Sequence, residues 1–180
     1  MTATETRPDS APPDPSAPEI PPRRLRDAMG RFATGVAVVT AADADGRPYG
    51  TTANAISSVS LRPPLVLACL RLESATLAAI RSGRRFAINV LAAGQRDLSE
   101  RFARRAAPGT WDGVAAERRH GVPVLHGTLA TVECVLHDTA DGGDHEIVIG
   151  RVVAVDHVEH DAEPLLFHRG AYAALSGEWA

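Results

Sequence analysis

The stretch GTLATVECVLHDTADGGDHEIVIGRVVAVDHV (127–158) decides the fold class. In its first half Leu129, Thr131, Glu133, Val135 and His137 alternate with Ala130, Val132, Cys134 and Leu136. A period of two puts these two sets on opposite faces of a strand. Its second half, HEIVIGRVVAVDHV (145–158), is rich in Val and Ile. Between them, DGGD (141–144) concentrates turn residues. Strands joined so tightly run antiparallel, because a parallel pair needs a crossover of about a dozen residues or more. Gly150 inside the second strand signals a bulge or a close backbone approach.

Upstream, the pattern stays β-rich. TGVAVVTA (34–41) reads as a strand, DADGRP (43–48) carries an Asp-Gly turn, and Tyr49 to Ser60 reads as the returning strand. PPLVLACL (63–70) and RRFAINVL (84–91) are further strands, and PLLFHRGAY (164–172) supplies a last strand or strand pair. Helices are few and short. Arg23–Thr34 has Leu25, Met29 and Phe32 at helical spacing. Ser74 to Ser82 has Ser74 as N-cap and Gly83 as terminator, and Gln95 to Arg105 is the third. Residues 106–123 read as loop. Strand and helix do not alternate regularly, which argues against a doubly wound sheet. The expected fold is mainly β, an antiparallel barrel with small helices at its ends.

Composition narrows the function classes. The chain has 180 residues, 44% hydrophobic, with net charge −3. This suits one domain with a proper core. All 19 basic residues are Arg and lie scattered, so no nucleic-acid footprint is expected. Residues 1–22 hold seven of the 13 prolines and almost no large apolar side chain. They read as a disordered tail ahead of a domain at 23–180. Neither a signal peptide nor an apolar run of about 20 residues is visible, so a cytoplasmic protein without a membrane segment is expected. Cys69 and Cys134 sit among apolar neighbours and read as small buried hydrophobes. GxGxxG, phosphate-loop, HExxH and GxSxG motifs are absent. The two histidines of HVEH (157–160) would point to opposite faces of a strand, so no metal site is expected.

Two stretches remain as candidate sites. TTANAISSVS (51–60) crowds hydroxyls and an amide beside a core strand. Such groups both donate and accept, and suit an anion or a polar heteroaromatic ring; they also suit the wet face of an ordinary strand. In GGDHEIVIGRV (142–152) a tight turn presents His145 at the start of a strand, as an anchor or as a polar turn residue.

The ordered set TGVAVVTAADADGRPYGTTANAISSVSLRPPLVLACL (34–70), FAINVL (86–91), LSERFA (98–103), LATVECVL (129–136), GDHEIVIGRV (143–152) and PLLFHRGAY (164–172) resembles the flavin reductase family with an FMN-binding split-barrel fold. The likeness is to the small reductase components of two-component flavin-dependent monooxygenases. It implies a homodimeric, six-stranded antiparallel split barrel that binds FMN or FAD near the dimer interface. It carries over Thr51, Thr52, Ala53, Asn54, Ser57, Ser58, Val59 and Ser60 as flavin contacts, followed by Cys69, Leu70, Ser74 and Phe102. Gly143, Asp144 and His145 match the motif associated with the nicotinamide nucleotide, and Tyr172 would complete that pocket. The implied reaction moves a hydride from NADH or NADPH to an exchangeable flavin, with His145 as the nucleotide's anchor at the reacting centre. Reduced flavin would then diffuse to a monooxygenase. A flavin carrier or sensor without turnover is the competing reading, and a split-barrel oxidase acting on pyridoxine phosphate is a third.

Overall fold

The computed structural model describes residues 18–107, 109–157 and 162–175. Most of the expected tail, and His160 of HVEH, lie outside them.

The long hairpin forms as the pattern requires. β9 (Ala130–Gly142) and β10 (His145–His157) pair antiparallel through the two-residue turn Gly143-Asp144. Gly143 has φ +76° and Asp144 is not left-handed, which is the turn that matches strand twist. The register shifts at Ile149/Gly150. A Cβ on Gly150 would fall on the Phe86 ring and within 2.8 Å of the Cys134 Cβ. Gly150 therefore provides both a bulge and a close approach.

Before the hairpin come β1 (Thr34–Gly35), β2 (Ala37–Ala42), β3 (Pro48–Ala53), β4 (Ile56–Leu61), β5 (Pro64–Arg71) and β6 (Arg85–Val90). β7 (Ala116–Arg119) and β8 (Val122–Leu125) form a small hairpin, and β11 (Leu166–His168) and β12 (Ala171–Ala173) follow β10. The main sheet runs β3-β2-β6-β9-β10-β5-β4, antiparallel throughout. Its two outermost strands, β3 and β4, are halves of the single strand expected over Tyr49–Ser60. The chain bends at Asn54-Ala55, so one half pairs with β2 and the other with β5. The Cys69 N–H donates to the Ala55 carbonyl at 3.0 Å, directly at the bend. The two ends of the seven-stranded sheet are thus consecutive segments of the chain.

The barrel interior holds Val39, Ala41, Ala68, Leu70, Phe86, Ile88, Cys134, Leu136 and Val148. Emptying the Phe86 position would cost about 3–5 kcal/mol. Burial pushes the Cys134 thiol up to about 12, so it is inert packing. α2 (Ala75–Gly83) caps one end with Leu77, Ala79 and Ile80. Ser74 is its N-cap, accepting from the Leu77 N–H at 3.4 Å. Its termination differs from expectation: Arg84, at φ +59°, takes the left-handed position. Gly83 is the last helical residue, and its lack of a side chain admits the Ala42 carbonyl, which a Cβ there would strike.

Three other boundaries move. α1 is Pro22–Met29, shorter than Arg23–Thr34, because the chain turns at Gly30 and Thr34 enters β1 against Phe167. α3 is Arg96–Ala103. The span expected as loop, 106–123, contains β7 and the start of β8, whose joining turn His120-Gly121 has positive φ at both residues. No period-two signal marks AERR, and Pro123 argues against a strand, so only the turn residues hinted at it. This hairpin lies over β2, β6 and β9. There Thr40 donates to the Pro123 carbonyl at 2.5 Å and the Leu125 N–H donates to Asn89 Oδ1 at 2.9 Å.

Candidate functional site

Strand register brings the two candidate stretches onto one surface. Ser57 faces Leu67 across β4–β5, Cys69 faces Ile147, and His145 faces Arg71 across β5–β10. Facing residues share a side of the sheet, as do alternate residues along a strand. Ser57, Cys69 and His145 therefore share one side with Leu65, Leu67, Ile147 and Ile149. It is the outside of the barrel, because Ala68, Leu70 and Val148 occupy the inside. A register shift between Ser58 and Ser60 leaves Val59 as the extra residue. Ser60 then faces Leu65 and joins Ser57, while Ser58 lies opposite Val66 on the other side. Simple alternation would have grouped Ser58 with Ser60.

β4 ends the sheet, so its far edge offers main-chain N–H and C=O groups that pair with no strand among the described residues. That edge, with the exposed Asn54 and the hydroxyls of Ser57 and Ser60, fits a ring bearing alternating donors and acceptors. The Leu70 side chain is buried, so only its main chain can take part. Ser74 is half-buried at the α2 N-cap, just beyond β5.

At the turn, Asp144 and His145 orient one another. His145 Nδ1 lies 2.7 Å from Asp144 Oδ1, which leaves Nε2 for a ligand. The hydrogen bond from His145 holds the Asp144 carboxyl below the usual carboxylate range. The Leu72 N–H donates to the Asp144 carbonyl at 3.2 Å, tying the turn to the end of β5.

A second cluster forms around the other half of the bent strand. Thr51 and Ala53 face the barrel interior, and Thr52 faces α3. Thr52 Oγ1 donates to the Ser99 carbonyl at 2.6 Å, and Ser99 Oγ lies 2.9 Å from the Tyr172 hydroxyl. Arg96 sits 5.0 Å over the Tyr172 ring, and Phe167 meets that ring edge-on at 5.6 Å. Asn54 Nδ2 donates to Thr34 Oγ1 at 3.2 Å. Tyr172 thus joins the Thr52–Asn54 side; the contacts that fix it do not run to His145. Phe102 is fully buried against Trp111 and beneath Gly50, so it supports β3 and has no surface for a ligand.

Sequence reading missed Ser99, which sits between Leu98 and Phe102 on a helix read only for its apolar face. It also missed the pair Arg81–Glu146, in which Arg81 Nε donates to Glu146 Oε1 at 3.3 Å and a second guanidinium nitrogen contacts Oε2. Two residues 65 apart carry no local signal. Concavities of about 480 Å³ beside α3 and about 260 Å³ beneath β7–β8 contain none of the candidate residues. Ser57, Ser60, Cys69 and His145 occupy an open sheet face instead. Among the described residues no group of three side chains could hold a metal, and no helix is long and apolar enough to cross a membrane.

Comparison with known proteins identifies the family. The model of the flavin reductase like domain matches residues 29–176. A probable flavin reductase from Rhizobium meliloti is 46% identical over 155 residues, 84% of this chain; the chain spans 48% of that relative's length. The flavin-dependent monooxygenase reductase subunit HsaB of Rhodococcus jostii is 40% identical over 161 residues, 89% of this chain and 81% of that protein. Among solved structures, the Streptomyces globisporus NADH:FAD oxidoreductase SgcE6 in complex with NAD and FAD fragments superposes with TM-score 0.80 at 34% identity, covering 89% of this chain and 98% of that one. With the barrel closed by one bent strand and a family match along nearly all of the described chain, this protein belongs to the flavin reductase family and has its split-barrel fold.

Proposed function

We propose that this chain is a cytoplasmic, homodimeric NAD(P)H:flavin oxidoreductase that reduces exchangeable FMN or FAD and releases it to a partner monooxygenase. The observation that carries this is the shared outer face of β4, β5 and β10. It sets the flavin candidates Ser57, Ser60 and Cys69 on the same side of the sheet as His145. Two ligands that must react need seats on a common surface, and this face is common to both sets of residues.

The flavin, when bound, supplies the capacity to accept a hydride. The protein binds and aligns. Ser57, Ser60, Asn54 and the free edge of β4 would hold the ring, and Thr52 and Ser74 would flank it. His145 would anchor the nucleotide through Nε2, its ring fixed by Asp144. Holding reactants in register replaces a costly encounter, so alignment alone is a large catalytic contribution.

The open face also supports the dimer. Leu65, Leu67, Ile147 and Ile149 are only half-buried there. An apolar sheet face of this kind in one chain fits burial against a second copy.

The deciding experiment follows loss of NADH and NADPH absorbance with and without added FMN or FAD. Turnover that requires and saturates with added flavin is expected. Flavin binding without turnover would replace this reading with that of a carrier.

A further inference from the structure

We propose that Arg81 and Glu146 are positioning residues for the reductase reaction: together they fix the Gly143–His145 turn against α2 and so place the nicotinamide nucleotide relative to the flavin. This rests on the reading of His145 as the nucleotide's anchor.

The geometry is specific. Glu146 follows His145 directly and lies opposite Leu70 in β5. Its carboxylate takes two nitrogens of the Arg81 guanidinium, and only 13% of its side chain is exposed. A two-point contact of a planar guanidinium restricts orientation as well as distance. Arg81 stands in the last turn of α2, where a cation also suits the helix dipole. The N-terminal end of that helix is Ser74, directly after the β5 end that carries Cys69 and Leu70. One short helix therefore spans from the flavin side of the site to the nucleotide side. Its N-cap is set by β5, and its C-terminal turn grips the residue after His145. On the other flank of His145, the Asp144 carbonyl is held by the Leu72 N–H. The histidine is thus tethered through both neighbours to the same β5–α2 segment.

The pair has little to do with keeping α2 in place. Thr76, Leu77, Ala79 and Ile80 are buried and seat the helix by themselves. Half of the Arg81 side chain is exposed, and surface pairs of this kind contribute little to stability. Loss of Arg81 should therefore free the turn and leave the helix.

The test uses the full-length protein and four forms: wild type, Arg81→Ala, Glu146→Ala and the double variant. NADH binding to flavin-free protein is read by fluorescence, FMN binding by quenching, and amide exchange over residues 143–146 by mass spectrometry. Each single variant should weaken NADH binding about fivefold, speed exchange in the turn and leave FMN affinity within twofold. The double variant should be no worse than either single one, as for two halves of one interaction. Additive losses, unchanged NADH affinity, or a parallel fall in FMN affinity and melting temperature would each overturn the proposal. His145→Ala is the control on the underlying reading. If it leaves NADH binding intact, the anchor assignment fails; if it weakens binding while Arg81→Ala does not, only the positioning role fails.

Discussion

The barrel has a roofed side and a bare side, built from the same sheet. On the roofed side, hairpin β7–β8 covers β2, β6 and β9. The polar groups there are enclosed and matched: Asn89 Nδ2 donates to the Val38 carbonyl and to Thr40 Oγ1, both at 3.0 Å. Glu133 is fully buried, with His120 Nδ1 2.6 Å from Oε2. Its Oε1 meets Arg119 at 2.9 Å as an ion pair, outside hydrogen-bond geometry. On the bare side, β4, β5 and β10 present half-buried apolar residues, an imidazole, and the Ser57 and Ser60 hydroxyls, whose partners are only neighbouring main-chain groups. Buried polar groups with assigned partners specify a structure. Polar groups whose partners are only local, on an uncovered face, can turn to a ligand. The division of labour lies in what covers the sheet, since the strands themselves are alike.

The contrast can be broken in several ways. The largest effect should come from Ile149→Asp, a charge placed in the bare apolar face. It should convert the proposed dimer to monomer by size-exclusion chromatography and abolish flavin binding; a dimer that binds flavin would show that this face is not the interface. On the roofed side, Arg119→Ala leaves the Glu133 carboxylate with one partner fewer. It should cost roughly 3 kcal/mol in chemical denaturation, the lower end for uncovering a buried charge, while turnover at room temperature is retained. His145→Ala should raise the Michaelis constant for the nucleotide about tenfold, roughly 1.4 kcal/mol, with a smaller change for flavin. The reverse ordering would move the histidine to the flavin. Asn54→Ala should weaken flavin binding a few-fold by fluorescence quenching, and unchanged affinity would remove it from the face.

The smallest effect concerns pH. Asp144 titrates below its ordinary range because His145 donates to it. A carboxylate with a depressed folded value contributes above its unfolded value and loses that contribution as pH falls through the folded one. The small stability contribution of this pair should therefore persist through the ordinary carboxylate range and be lost only below it in chemical denaturation, an effect that Asp144→Asn removes.

Much of this was legible in the sequence because the signals are local. Period two in β9, the glycines of the 141–144 turn, Gly150 and the Ser74 cap each act within a few residues, and each took its expected role. The bend at Asn54-Ala55 was not legible. Its cause is pairing with β2 on one side and β5 on the other, which no window of sequence contains. The β7–β8 hairpin was missed for a similar reason: its strands are held by Thr40, Asn89 and Glu133 from distant segments. Of the candidate residues, register grouped Ser57, Ser60, Cys69 and His145. It took Phe102 into the core and Tyr172 to the α3 side, because burial and cross-strand partners are properties of the closed barrel.

The bent strand has a thermodynamic consequence. β3 and β4 close the barrel, and the residues along them are those that would hold the flavin. A ligand that binds only the closed form adds its binding free energy to folding, about 2.7 kcal/mol at a hundred times its dissociation constant. An enzyme that hands its flavin away surrenders that contribution at each release. On the proposed reading, its unloaded form would be the one most open to unfolding and proteolysis.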